Sequence, residues 1–114
     1  GRVGSPDDIA EVDVVVNAPP LGMNGPQADR FACDPDRLRR GQIVEDLVYD
    51  PFLTPLVRAA TERGLVAHHG LDMLVHQAAR AFRLWTGVPA PLEAMVTAAR
   101  TSLRTRTELP MEGR

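Results

Sequence analysis

Lysine is absent. All thirteen basic side chains are arginines, so no lysine catalyst can come from this chain. Cysteine is represented only by Cys33, which excludes an internal disulfide and fits a reducing compartment, so a cytoplasmic location is expected. No apolar run approaches the roughly 20 residues that span a bilayer, and no signal-peptide pattern is visible, so no membrane partner is expected. The net charge of −2 supplies no basic surface for nucleic acid. The only early glycines are Gly1 and Gly4, with no G-x-G-x-x-G phosphate loop after them. Three histidines, His68, His69 and His76, have no cysteine or suitably spaced acid to complete a ligand set, so no metal site is expected.

The chain has 114 residues, 44% hydrophobic and 25% charged. This is one domain or less, long enough to bury roughly 65% of its unfolded surface. Val12 to Asn17 is a valine-rich run ending at Ala18-Pro19-Pro20, and it reads as a buried strand. Residues 18–36 hold four prolines and two glycines and read as a loop, with Cys33 in it. Asp36 to Arg40 is one candidate helical turn, stopped by Gly41. Gln42 to Tyr49 reads as a second strand, broken by Asp50-Pro51. Thr54-Pro55 is a helix start, a capping hydroxyl before proline at the first helical position. Leu56, Val57, Ala59 and Ala60 give that helix its apolar face, and Gly64 ends it. Leu65 to His68 is a short third strand, and a helix follows over about Leu71 to Trp85. A last helix runs from Pro91 to about Arg104, with Leu92, Met95, Val96, Ala99 and Leu103 as its stripe. The tail after Thr105 reads as frayed.

Alternating strands and helices predict an α/β fold with a three-stranded parallel sheet flanked by helices and a C-terminal helix pair. Ligands of open parallel sheets bind outside the carboxyl ends of the strands. Three segments fall there: Asn17-Ala18-Pro19, Leu47-Val48-Tyr49 and His69-Gly70-Leu71. Met73 and Gln77 lie four residues apart near the start of the following helix, and so share one of its faces. Asp46, an acid within a strand, needs a partner or a polar opening. Taken alone, each residue also has a structural role open to it. Tyr49 can cap a strand with its hydroxyl in water, Gln77 can be an exposed helix residue, and Met73 can be core.

Three blocks carry a family resemblance. G-L-D-M-L-V-H-Q-A-A-R-A-F-R-L-W-T-G, residues 70–87, resembles the C-terminal helix of shikimate dehydrogenases. V-V-V-N-A-P-P-L-G-M, residues 14–23, is similar to that family's N-A-T-P-x-G-M loop, with Pro19 where threonine is usual. E-D-L-V-Y-D-P-F-L-T-P-L-V, residues 45–57, is similar to its D-x-V-Y-x-P-x-x-T-P-L segment, with Asp50 in place of a frequent asparagine. The blocks keep the family's order and spacing.

The resemblance implies that residues 1–87 are the C-terminal half of a dinucleotide-binding Rossmann domain, and residues 88–114 a closing helix and tail. It implies NADP as cofactor, and shikimate or 3-dehydroshikimate as substrate in chorismate and aromatic amino acid biosynthesis. Tyr49 and Gln77 match substrate contacts. Asn17, Ala18, Pro19, Leu47, Gly70 and Met73 match cofactor contacts, although Pro19 forfeits a hydroxyl. The family's catalytic Lys–Asp pair belongs to an N-terminal substrate domain that nothing here resembles, so no catalytic residue is assigned and this chain alone is expected to be inactive. NAD-dependent quinate or shikimate dehydrogenation, and a non-catalytic binding module, are the alternative expectations.

Overall fold

The computed structural model describes residues 1–108. The chain divides into two compact units, Gly1–Gly70 and Leu71 onward. The first holds strands β1 (Val14–Asn17), β2 (Ile43–Asp46) and β3 (Val66–His68), with helix α1 (Pro55–Glu62). The strands form a parallel sheet in the order β1-β2-β3. Helices α2 (Gly70–Thr86) and α3 (Leu92–Glu108) follow. Short 3-10 turns occupy Pro6–Glu11 and Pro35–Arg37. The α/β architecture with three parallel strands is the one expected.

Every strand is shorter than its apolar run. Val12 ends the first 3-10 turn, its N–H bonded to the Ile9 carbonyl, and Asp13 is almost fully exposed. The β1 ladder therefore starts at Val14 instead of Val12. Gln42 is buried, but its side chain is occupied before the strand begins. Its Nε2 donates to the carbonyls of Ile9 and Val12 at 2.5 and 2.6 Å, and its Oε1 accepts from the Arg39 N–H at 2.8 Å. The capping box of Ser5 and Asp8 that starts the first turn was readable in the sequence, where Ser5 precedes Pro6. At its far end β2 stops at Asp46, and Leu47 to Tyr49 is loop.

Alternation along the strands sorts the two sheet faces. Val15, Asn17, Val44 and Asp46 point to the buried side, where Val15, Val44, Leu56, Ala60, Leu65 and Cys33 form one core. Val14, Val16, Ile43 and Val66 on the other face are all exposed. Helix α1 starts as expected: the Thr54 hydroxyl accepts from the Val57 N–H at 3.2 Å, with Pro55 next. Such a cap stabilises by about 1 kcal/mol. Burying Leu56 and Val57 contributes roughly 1.5–3 kcal/mol each.

Cys33 lies in the expected loop, but its side chain is turned into the core. It is 9% exposed and packed in the core. Burial, and then the neighbouring Asp34 charge, push its thiol pKa up. Since only the thiolate reacts, Cys33 is expected to resist a thiol reagent at pH 8 in the folded chain and to label rapidly in urea. Labelling at the same rate in both conditions would contradict a buried thiol.

In the second unit, Leu71, Val75 and Leu103 form a core, with Leu74, Met95, Val96 and Ala99 packed on it. The expected stripe of α3 is thus used, except Leu92, which is exposed. Helix α3 starts one residue after Pro91 and runs to Glu108, past the point where fraying was expected. The remainder of the tail lies outside the described residues.

Candidate functional site

The parallel register places Asn17 opposite Asp46 at the carboxyl end of the sheet. Both side chains point to the buried face; Asp46 is 0% exposed and Asn17 2%. Asn17 Nδ2 donates to Asp46 Oδ1 at 2.9 Å and to the Leu21 carbonyl at 3.1 Å. Asp46 Oδ1 also accepts from the Val48 N–H at 3.0 Å, and Asp46 Oδ2 accepts from the Thr54 hydroxyl at 2.6 Å. A buried carboxyl is tolerable only with such partners. This one joins the ends of β1 and β2 to the cap of α1.

The loops beyond the strands are tied in the same region. The Asn24 N–H donates to the Asp50 carbonyl at 2.9 Å, and Asn24 Nδ2 to Asp50 Oδ1 at 2.5 Å. Gly22 is buried at φ +88°, with Pro55 Cδ and Thr54 Cβ 3.3 and 3.6 Å from where a Cβ would stand. Its left-handed backbone and close neighbours both favour glycine there.

After β3 the chain turns past His69 into Gly70, whose N–H donates to the Val48 carbonyl at 3.2 Å. A Cβ on Gly70 would overlap the Leu47 carbonyl and come within 2.8 Å of the Val48 carbonyl carbon. The need for glycine at this position is therefore met by the protein's own backbone. The His69 ring packs on Phe52 with centroids 4.0 Å apart.

Two buried side-chain polar atoms lack a hydrogen-bond partner among the described residues, Asn17 Oδ1 and His69 Nδ1. Both lie at or just beyond the carboxyl ends of strands, where an open parallel sheet takes its ligand. Unpaired buried polar atoms are rare, and each calls for an explanation. A ligand donor would satisfy Asn17 Oδ1, and a ligand donor or acceptor, according to the ring tautomer, His69 Nδ1. The remaining predicted residues of this unit fit an opening: Ala18, Pro19 and Tyr49 are exposed and Leu47 is half-buried. In the second unit Met73 and Gln77, one turn apart on α2, are both exposed and not part of its core. A surface cleft lined by Arg80, Arg83, Leu84 and Gly87 contains none of the predicted residues.

Sequence reasoning missed two side chains. The sequence places His69 in a segment at the strand ends but gives its ring no role there beyond a rejected metal ligand, and it gives Thr54 only a cap. No local signal gave their wider roles, since Phe52 and Asp46 are brought to them by the fold. His68, the adjacent histidine, pairs with Glu45 Oε2 across the exposed sheet face at 2.9 Å. The two residues stand opposite each other on neighbouring strands, where such a contact is expected. No group of three metal-binding side chains occurs among the described residues.

A family profile described as Shikimate 5'-dehydrogenase C-terminal domain matches residues 70–100. A shikimate dehydrogenase (NADP(+)) of Archaeoglobus fulgidus is 47% identical over 94 residues, 82% of this chain and 35% of that protein. The shikimate 5-dehydrogenase of Thermus thermophilus, solved with NADP(H) and shikimate, superposes with a TM-score of 0.82. It is 34% identical, over 90% of this chain and 38% of its own. The chain belongs to the shikimate dehydrogenase family. It spans about a third of the length of these relatives. A quinate dehydrogenase of Corynebacterium glutamicum, solved with NAD, is 40% identical with a TM-score of 0.76, over 86% of this chain and 34% of its own. The fold is thus shared by shikimate dehydrogenases and this quinate dehydrogenase. No helix among the described residues is long and apolar enough to cross a membrane.

Proposed function

We propose that this chain forms the nicotinamide-side part of an NADP-dependent shikimate dehydrogenase, which interconverts 3-dehydroshikimate and shikimate. The observation that carries this reading is that Asn17, Leu47 to Tyr49 and Gly70, one part of each family motif, lie at the carboxyl end of one parallel sheet, where both unpaired buried polar atoms also lie. NADP supplies the hydride when bound. Asn17, Ala18 and Pro19 flank the cofactor, Leu47 and Gly70 offer backbone, and Met73 gives an adaptable thioether against a flat ring. Tyr49 and Gln77 bond substrate hydroxyls, the amide both donating and accepting. Asn17 Oδ1 is an acceptor that fits a hydroxyl or amide of the cofactor. A second reading, a quinate or shikimate dehydrogenase using NAD, is favoured by the 40% identity to the NAD-bound quinate dehydrogenase.

The 114-residue chain is expected to show no shikimate oxidation with NADP, because it has no lysine and no counterpart of the family's Lys–Asp pair. Joined to the matching N-terminal portion of the Thermus thermophilus enzyme, it is expected to turn over shikimate with NADP. In that chimera Gln77→Ala should raise KM for shikimate more than KM for NADP, by the equivalent of about 0.5–1.5 kcal/mol. Tyr49→Phe should act in the same direction. Turnover by the 114-residue chain, or equal effects of Gln77→Ala on both ligands, contradicts these assignments. Faster turnover with NAD and quinate selects the second reading.

A further inference from the structure

We propose that Asp46 is a positioning residue, which holds the Asn17 amide in one orientation so that Oδ1 is the atom offered to the ligand. The proposal rests on reading the carboxyl end of the sheet as the cofactor site.

An asparagine amide has two nearly isosteric orientations, one presenting N–H groups and the other oxygen. Here both Nδ2 protons are used, one by the Leu21 carbonyl and one by Asp46 Oδ1. A flipped amide would set Asn17 Oδ1 against two acceptors, so the network allows one orientation. Asp46 cannot swing away to relieve it. Its Oδ1 is also bonded to the Val48 N–H, its Oδ2 is bonded to Thr54 Oγ1, and the residue is fully buried. Thr54 is fixed in turn, because its oxygen accepts from the Val57 N–H at the start of α1. The Asn17 oxygen left over is buried and without a partner among the described residues.

This orientation has a chemical consequence. An unpaired amide oxygen accepts a hydrogen bond and repels anionic oxygens. Asn17 therefore meets a neutral donor of the dinucleotide, a ribose hydroxyl or the nicotinamide carboxamide, and not a phosphate. Because Asp46 Oδ1 also holds the Val48 N–H, the same carboxyl sets the start of the Leu47–Tyr49 loop.

The test uses the 15N-labelled 114-residue chain with Asp46→Asn and Asp46→Leu variants. Without ligand, both Asn17 side-chain N–H signals are expected to exchange slowly in the parent chain. They should stay slow in Asp46→Asn, whose oxygen can still accept from Asn17 and Val48 while its amide faces Thr54. They should become those of a free amide in Asp46→Leu. When the chimera with the Thermus thermophilus N-terminal portion is titrated with NADP, Asp46→Leu is expected to weaken binding by about tenfold, the scale of a lost buried hydrogen bond, and Asp46→Asn to rescue it to within about threefold. Fast-exchanging Asn17 protons in the parent chain, or loss of protection in Asp46→Asn, overturn the proposal. So does unchanged protection in a folded Asp46→Leu. If Asp46→Leu does not fold, the parent and Asp46→Asn signals decide. A chimera with the Thermus thermophilus N-terminal portion that takes up no NADP, while the Asn17 protons stay protected, would remove the cofactor reading and leave the positioning of Asn17 standing.

Discussion

Gly70→Ala is expected to destabilise the first unit severely, although the same change inside a helix ordinarily stabilises by up to about 1 kcal/mol. Gly70 opens α2, so propensity alone favours alanine. The added methyl would overlap the Leu47 carbonyl and crowd the Val48 carbonyl carbon. Both are backbone atoms, and Val48 is further held by its N–H bond to Asp46. Neither can rotate aside as a flexible side chain would. Overpacking typically costs about 1–3 kcal/mol, and fixed backbone puts this site at the upper end or beyond. The net sign is decided by the clash, because it exceeds the helix gain. Urea unfolding followed by circular dichroism is the measurement, with a lower midpoint expected. An unchanged or raised midpoint would mean that the β2 loop yields easily, and would remove the packing reason for glycine here.

The 114-residue chain is also expected to associate as its concentration rises. A parallel sheet normally has both faces covered by helices. Here α1 and the core cover one face, while Val14, Val16, Ile43 and Val66 on the other are 51%, 54%, 39% and 55% exposed. Within this sheet β1 is an edge strand, and an apolar edge is a template for pairing with a second copy. Light scattering over a concentration series should show growing mass, and Val16→Lys should reduce it by placing a charge on both the face and the edge. A monomer at all concentrations with a sharp, cooperative melt would instead favour a self-sufficient binding module.

The two expectations draw on different levels of information. The run Val14-Val15-Val16 announces a strand by itself, and Thr54-Pro55 announces a helix start, because those signals act within a few residues. The strand ends were less legible. Gln42 and Asp46 have strand-like neighbours, but Gln42 stays outside the ladder with its side chain on the Ile9 and Val12 carbonyls, and Asp46 ends it with its carboxyl on the Val48 N–H. Met73 and Gln77 share a helix face by spacing alone, and the fold leaves both exposed.

By itself the sequence determined the order of strands and helices, the parallel sheet, the family, and the three segments that meet at its carboxyl end. Their residue spacing and apolar periodicity are local properties of the chain. Only the tertiary structure decided that Asp46 serves Asn17, Val48 and Thr54 together, that Cys33 is core, and that Gly70 is required by the backbone of the β2 loop. It also left Asn17 Oδ1 and His69 Nδ1 unpaired among the described residues. Asn17 and Asp46 lie 29 residues apart in the chain, and strand register alone brings them face to face. A buried polar atom is satisfied or orphaned by whatever the fold places against it, and no short stretch of sequence carries that information.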